Sequence, residues 1–182
     1  GFSWFKEKEF QKSADRFKLV SSSNDSLSQI SAYYLGCCYL KLDNKPFALN
    51  AFSEVKKYKS NTALSEESYF TVGKLYVESR LFNQAISEFQ GFIQAFPKGK
   101  FTEEAKAILS EVFLDTKDYA QALEIIEKMP SRNVRVNAAL QKIAFFRGLE
   151  LFNKLEYKLA VKAFQKSLEV PLNKEMEFDA RY

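Results

Sequence analysis

The chain has 182 residues, of which 46% are hydrophobic and 15% aromatic, so it can form one or two packed cores and is too apolar to stay disordered. Its net charge is +4, with acidic residues gathered in the middle of the sequence and basic residues on both flanks, which argues against the continuous positive track of a nucleic-acid groove. The absence of histidine removes the commonest general base and metal ligand from most hydrolase and zinc-site chemistries. The sequence begins GFSWFKEKEF, without an initiator methionine or a leader, so we expect it to belong to a longer polypeptide.

The first predicted helical pair starts at the first residue and shares a pattern with four later stretches. Each stretch has a small residue, which we call the anchor, followed by a large residue three positions later, a small one twelve later and a large one sixteen later. This repetition predicts five helix hairpins of one design. In chain order the five sets are Gly1, Trp4, Ser13 and Phe17; Gly36, Tyr39, Ala48 and Phe52; Gly73, Tyr76, Ala85 and Phe89; Ser110, Phe113, Ala122 and Ile126; and Gly148, Leu151, Ala160 and Phe164.

The second pair, Tyr33–Phe52, places a glycine inside an apolar helical run. A glycine there costs the helix about 1 kcal/mol relative to alanine, so a packing reason is expected. We predict that the two helices of the hairpin cross closely at Gly36 and that Phe52 fills the neighbouring space. By the same argument, the substitution Gly73→Leu is expected to lower the melting temperature by several degrees through overpacking.

Turn residues separate the two helices of each pair. In LDNKPF, Asp43 or Asn44 can cap the second helix and Pro46 falls in its first turn. Other prolines follow second helices and prevent them from continuing: Pro97, Pro130 and Pro171. No alternating run is long enough to predict a sheet, so the sequence predicts an all-α protein.

The spacing between successive anchors is 35, 37, 37 and 38 residues, while the offsets within each set do not change. The unit Tyr69–Pro97 resembles a tetratricopeptide repeat (TPR), a helix hairpin with small positions, large aromatic side chains and a terminal proline. This resemblance implies a right-handed superhelical solenoid of antiparallel helix hairpins over residues 1–182. The expected units are approximately 1–24 (partial), 27–60, 64–98, 101–130 and 134–171, with 174–182 beginning another.

The two adjacent cysteines, Cys37 and Cys38, do not have the spacing of a metal site, and the chain has no further cysteine or histidine to complete one. Neighbouring residues of a helix point about 100° apart, so a bridge between them would distort the backbone. We therefore predict a packing role, with Cys38 buried in the hairpin and Cys37 facing the other way.

Other charged groups suggest no chemistry. The lysines at positions 158, 162 and 166 recur every fourth residue and are interpreted as a solvated stripe rather than a phosphate-binding track. The carboxylates fit helix surfaces, and none lies in a glycine-rich or strand-end setting. We therefore predict that the protein is not an enzyme and has no catalytic residue, cofactor or metal site.

The TPR resemblance implies that the first helix of each hairpin lines a concave groove. On this chain the implied groove is rich in aromatic residues, and such an apolar surface is expected to be covered by a partner. The alternative is that neighbouring first helices bury much of it against each other. The predicted groove residues are Phe5, Tyr33, Leu40, Phe70, Lys74, Glu104, Glu111, Phe145 and Phe152.

The function predicted from these features is a non-catalytic scaffold that binds a peptide or protein partner in an apolar, aromatic groove. One alternative is a structural segment of a larger repeat protein with mainly intramolecular contacts, and another is a nucleic-acid binder that uses the basic ends. The run Ala85–Ala105 is also similar to repeats of bacterial envelope TPR proteins, namely the outer-membrane assembly lipoprotein and the Tol-system coordinator. That similarity implies a periplasmic or cell-envelope location.

Overall fold

The computed structural model describes residues 1–20, 26–58, 60–129 and 131–181, and within these ranges it is helical with no strand. The all-α prediction is therefore confirmed. Pro130 and the ends of the predicted units at positions 24, 130 and 182 lie outside the described residues. The helices are α1 (Phe2–Lys6), α2 (Phe10–Val20), α3 (Ser26–Lys41), α4 (Lys45–Val55), α5 (Thr62–Glu78), α6 (Phe82–Ala95), α7 (Thr102–Thr116), α8 (Tyr119–Glu127), α9 (Val134–Asn153), α10 (Tyr157–Leu168) and α11 (Lys174–Arg181).

The chain divides into two compact units, Gly1–Thr102 and Glu103–Tyr182. In the first unit, successive helices pack against each other from α1 to α6, and in the second α8 packs on α9, α9 on α10, and α10 on α11. The predicted boundaries of the individual repeats stay a prediction. Among the described helices, none combines the length and the apolar character needed to cross a membrane.

The glycine anchors mark the closest approach of the two helices in a hairpin. A Cβ atom added to Gly36 would lie 2.8 Å from the ring of Phe52, and one added to Gly148 would lie 2.5 Å from the ring of Phe164. Contacts this short do not occur between real side chains, so the ring sixteen residues later occupies the space that a side chain would need. The packing reason predicted for the anchor glycine is confirmed. The same contact joins Gly1 to Phe17 and Gly73 to Phe89.

One or two residues after the end of each first helix, and seven positions after the anchor, lies a residue with a left-handed backbone. In the second hairpin this residue is Asp43, with φ 53°, while Asn44 caps α4 by accepting a hydrogen bond from the amide of Phe47 at 3.4 Å. Pro46 lies in the first turn of α4, as predicted. The sequence does not reveal these turns, because glycine, the usual residue for a left-handed backbone, occupies the left-handed position in none of the five. The five residues are Lys8, Asp43, Arg80, Lys117 and Leu155.

In the four hairpins from α3–α4 to α9–α10, a polar side chain seven positions before the anchor holds the loop that follows the second helix; we call it the clamp residue. The amide oxygen of Gln29 accepts a hydrogen bond from the amide of Asn61 at 2.7 Å, and its nitrogen donates to the carbonyl of Asn61 at 3.1 Å. Gln141 repeats both bonds with Asn173, at 2.7 and 3.0 Å. Both glutamines are buried, so these bonds satisfy groups that water does not reach.

Glutamates occupy the clamp position in the two intervening hairpins. Glu66 accepts a hydrogen bond from the amide of Phe101 at 3.3 Å, and Glu103 accepts one from the side-chain nitrogen of Asn133 at 3.0 Å. The ammonium of Lys106 lies 2.6 Å from the Glu103 carboxylate and lowers its pKa. A clamp thus recurs at one position of the pattern although its partners differ.

Candidate functional site

The predicted groove residues are distributed over both compact units. The first unit brings three of them together around one pocket, with Tyr33 next to the pocket residue Glu67, and the remaining predicted residues lie elsewhere in their units. The three that meet are Leu40, Phe70 and Lys74.

The pocket of the first unit, which we call the aromatic pocket, has a volume of about 330 Å³. Its apolar part is formed by Leu40 at the end of α3, Phe70 of α5 and Phe101, which precedes α7. Lys74 lines it as well, on the same helix as two carboxylates, those of Glu67 and Glu78. The pocket therefore combines an apolar surface, which can contact an apolar side chain, with one positively charged and two negatively charged side chains.

Phe70 is buried, with 5% of its surface exposed, so its expected exposure in an open groove is wrong. The ring of Phe101 stacks on it at a centroid distance of 4.7 Å with an angle of 7° between the planes. Phe92 contacts it from another direction, at 6.0 Å. The Lys74 ammonium lies 5.5 Å from the ring centroid, within the range of a cation–π contact. Phe70 therefore forms part of the buried wall of the pocket, and little of its ring is exposed to solvent.

Phe101 was missed by the sequence analysis because it lies outside the helix pattern. The available signal was Glu66 at the clamp position, since that carboxylate holds the amide of Phe101 and so fixes the ring near Phe70. The ammonium of Lys100 also lies over the ring of Phe101, at 5.0 Å from the ring centroid. The glutamine or glutamate that recurs seven positions before the anchor could thus have predicted that the loop containing Phe101 packs near Phe70.

Tyr33 lies beside the pocket and is half-buried, with its ring edge-on to Phe52 at 5.8 Å. Burial raises the pKa of its hydroxyl well above the ordinary value, and the neighbouring Glu67 carboxylate raises it further. Burial also raises the pKa of Cys37 to about 11. The thiol is therefore protonated at neutral pH and is a poor nucleophile.

The packing role predicted for the cysteines and the burial of Cys38 are confirmed, but Cys37 does not face away from the second helix of its own hairpin. Cys38 is completely buried and belongs to a cluster with Ala14 and Phe17 of α2. Cys37 is half-buried and contacts a different cluster, which contains Ala48 and Phe52. The two side chains thus pack in different clusters of the same unit.

Phe5 is also half-buried in the first unit. Its ring is edge-on to those of Phe10 and Tyr34, at 5.6 and 5.4 Å. It packs against the cluster that contains Cys38. Phe5 is therefore part of a core cluster.

In the second unit the predicted groove residues have different surroundings. Phe145 is 9% exposed and packs on Phe146 and Phe164, at 5.9 and 5.7 Å, so its expected exposure is wrong as well. Glu104 and Glu111 are exposed on α7. Phe70 and Phe145 are buried, but the rings that cover them come mainly from second helices and a loop, and not from neighbouring first helices as the alternative prediction had it.

Phe152 is exposed, and it lines a groove at the carboxyl-terminal side of the second unit together with Leu149 and Tyr157. Its ring is edge-on to that of Tyr157 at 5.4 Å. We call this the terminal groove; α10 and α11 also line it. Phe152 therefore belongs to a surface different from the aromatic pocket.

The predicted lysine stripe of α10 is confirmed for two of its three members. Lys158 and Lys162 are exposed. Lys166 is half-buried and pairs with the carboxylates of Glu127 and Glu169, at 3.2 and 3.0 Å. It is therefore not a freely solvated charge, and it connects α10 to the end of α8.

Solved structures with a similar fold cover nearly the whole chain. One structure of MamA is 20% identical, with a TM-score of 0.53, and the match covers 99% of this chain and 96% of that one. A second MamA structure is 20% identical, with a TM-score of 0.54, over 100% and 91% of the two chains. A protein from Podosopora anserina with nearly identical TPR-like repeats is 10% identical, with a TM-score of 0.51, over 92% and 91%.

No protein-family model matches the sequence, and no curated protein sequence matches it. At identities of 20% and below, the likeness to the solved structures concerns the fold alone. The chain therefore has a TPR-like fold of helix hairpins, as the sequence predicts.

Proposed function

We propose that this protein is a non-catalytic scaffold that binds a segment of another protein in the aromatic pocket of its first unit. The observation that carries the proposal is the pocket itself, where Leu40, Phe70 and Phe101 form an apolar surface beside the exposed Lys74. Peptides commonly bind helical scaffolds through a few apolar anchors with charges that set their orientation.

The proposed ligand is a peptide with one large apolar side chain and an acidic group a few residues away. The apolar side chain would contact Leu40 and the edge of the Phe70–Phe101 stack, and the acidic group would pair with Lys74. Charge-assisted contacts of this kind contribute more to orientation and specificity than to affinity. Glu104 and Glu111 of the second unit stay proposed contacts for a basic segment of a partner.

The state of the reactive groups supports a function without catalysis. The Cys37 thiol is held protonated by burial, and the Glu103 carboxylate is bound to the ammonium of Lys106 at 2.6 Å. A carboxylate paired in this way is a weak general base, because the cation lowers its pKa.

The test is selection from a library of peptides with the purified chain, followed by affinity measurements on variants. The double substitution Leu40→Ser and Lys74→Glu is expected to weaken the selected peptides at least tenfold. Lys158→Glu, at an exposed site of the second unit, is the control and should leave the affinity within twofold. Equal loss in both variants, or no loss in either, contradicts the proposed site, provided that the melting curves match the parent's.

Two other functions can be distinguished from the proposed one. If no peptide is selected, the chain is better described as a structural segment of a larger repeat protein. Nucleic-acid binding through the basic ends requires saturable binding of an oligonucleotide at 50 mM salt that weakens steeply as salt rises.

We further propose a periplasmic or cell-envelope location, reached through the parent protein. The support is the similarity of the run Ala85–Ala105 to repeats of bacterial envelope TPR proteins. Fractionation of cells that express the parent protein tests it, and recovery only in the cytoplasmic fraction contradicts it.

A further inference from the structure

One wall of the aromatic pocket is formed by Phe101, which belongs to a connection and not to a helix. The helix after it, α7, begins eight positions before its anchor, whereas α3, α5 and α9 begin ten, eleven and fourteen positions before theirs. The residue nine positions before the anchor is therefore helical in those three hairpins and not helical in this one. Because α7 starts late, the ring of Phe101 lies flat on Phe70 of α5.

The connection from α6 to α7 is attached to one face of α5. The ring of Phe96 is edge-on to that of Tyr69, at a centroid distance of 5.8 Å. The ring of Phe101 stacks on Phe70 at 4.7 Å, and its amide donates a hydrogen bond to the Glu66 carboxylate at 3.3 Å. The three residues of α5 stand at positions i, i+3 and i+4, so they share one side of the helix. Two ring contacts and one carboxylate thus hold the connection on α5.

Glu66 acts on the pocket through Phe101. Phe101 lines the pocket, whereas Glu66 and Gly99 do not. A Cβ atom added to Gly99 would overlap the carboxylate oxygen of Glu66, which is the far end of a flexible side chain. The Cβ of Phe96, at 3.0 Å, has to yield only slightly. An alanine at position 99 therefore displaces the clamp carboxylate without a change in the residues that line the pocket.

Lys74 is the cation among the residues that line the pocket. Its ammonium lies 5.5 Å from the centroid of the Phe70 ring, and it makes no ion pair within the described part of the chain. Glu78, which also lines the pocket, is paired with Lys45 at 2.9 Å. The acidic group of the proposed peptide therefore has Lys74 as its partner, directly beside the stack of Phe70 and Phe101.

We propose that Phe101 determines which apolar side chain the aromatic pocket accepts, and that Glu66 is the positioning residue that holds its ring in place. This inference rests on the proposed function. The ring of Phe101 forms one side of the pocket, so it limits the size of a side chain that also contacts Leu40. When the clamp is lost, the ring is free to leave Phe70 and the pocket widens. Since binding and the clamped position favour each other, a bound peptide should also slow exchange of the Phe101 amide.

The probes are two synthetic peptides, acetyl-Ser-Gly-X-Gly-Glu-Gly-Ser-amide, with leucine or tryptophan at X. Each is titrated into the full chain while NMR follows the methyl groups of Leu40, and dissociation constants of about 1 mM are expected for so few contacts. Phe101→Ala and Glu66→Leu should each raise the ratio of the tryptophan-peptide affinity to the leucine-peptide affinity by about fivefold or more, because both remove the ring from its place.

Glu66→Gln is the conservative rescue, because glutamine retains the accepting oxygen, as Gln29 and Gln141 do in their own hairpins. Its affinity ratio should stay within about twofold of the parent's. Gln141→Leu is the matched control, since it removes the equivalent clamp from the second unit; it should also leave the ratio within about twofold. Without peptide, the Phe101 amide should exchange about tenfold faster in Glu66→Leu than in Glu66→Gln.

Gly99→Ala is a second way to release the clamp if Glu66→Leu does not fold, and it should raise the affinity ratio in the same direction. An unchanged ratio in Phe101→Ala or in folded Gly99→Ala overturns the proposal. So do equal ratios and equal exchange rates in Glu66→Leu and Glu66→Gln. If neither peptide shifts the Leu40 signals of the parent at concentrations up to about 10 mM, the proposed peptide class is wrong, and the proposed function fails together with this inference.

Discussion

The hairpins α3–α4 and α9–α10 have the same internal contacts but different surfaces. In both, a glycine anchor meets a phenyl ring sixteen residues later and a buried glutamine clamps the following loop. One hairpin is covered by the apolar stripe of α5, while the other borders the terminal groove. The comparison shows that the repeated pattern determines the inside of a hairpin, whereas the neighbouring helix determines which of its side chains are exposed.

The largest effect that we expect from this comparison is at the anchors. Gly36→Leu should lower the free energy of unfolding by about 3 kcal/mol, because the ring of Phe52 is enclosed on all sides and cannot move away. Gly148→Leu should cost only about 1 kcal/mol, since Phe164 borders the terminal groove and can rotate into it. Urea unfolding followed by circular dichroism measures both. Equal costs would show that the groove gives the ring no freedom.

Substitution of the clamp residues by leucine should lower the free energy of unfolding by different amounts in the two hairpins, with a smaller difference than at the anchors. Gln29→Leu removes the bonds to Asn61 and a further bond to Ser65 at 3.0 Å, and leaves buried partners without a hydrogen bond. We expect a loss of about 2 kcal/mol. Gln141→Leu should cost about 1 kcal/mol, because its partner loop includes the exposed Leu172, where water can replace a lost bond.

Urea unfolding of the two clamp variants gives this difference. Gln29→Glu and Gln141→Glu keep the side-chain shape and the accepting oxygen but lose the donor to the loop carbonyl, so they should be destabilised as well and test the donated bond. If Gln141→Leu is the more harmful change, the proposed freedom of the second loop is contradicted.

The smallest effect is a gain of stability at the left-handed turn. Leu155 has φ 62° and is mostly exposed, so Leu155→Gly should raise the free energy of unfolding by about 1 kcal/mol through relief of backbone strain. Asp43→Gly should change it by only a few tenths of a kcal/mol, because aspartate tolerates this conformation better than leucine does. Leu155→Asn should give part of the gain. A loss of stability in Leu155→Gly would mean that the leucine side chain makes a packing contact that outweighs the strain.

The interior of the hairpins could be predicted from the sequence because the small and large residues keep constant offsets. Gly36, Phe52 and Cys38 all lie where that pattern places them. The pattern carries no information on exposure, since burial of a first-helix residue depends on a ring supplied by another part of the chain. Phe70 illustrates this: it was expected in an open groove but is stacked on Phe101, a residue at none of the four offsets of the repeated pattern.

The turn and the clamp were missed for two different reasons. Four of the five left-handed residues, such as Arg80 and Leu155, are of types that have no preference for this conformation, and only Asp43 is of a type enriched in it, so no shared local signal marks the turn. The clamp residues did carry a signal, because glutamine or glutamate occurs seven positions before four of the anchors. That signal is weak, since both residues are also common on solvated helix surfaces.

The clamp has a consequence for how this chain can change during evolution. Gln29 reaches across 32 residues to its loop partner, Glu66 across 35 and Glu103 across 30, yet each side chain holds the backbone or a side chain of the segment before the next helix. The joint between hairpins is thus fixed by a side chain and not by the number of residues in the connection. We therefore expect insertions and deletions in these connections to be tolerated, in agreement with anchor spacings that vary from 35 to 38 residues while the offsets within each hairpin stay constant.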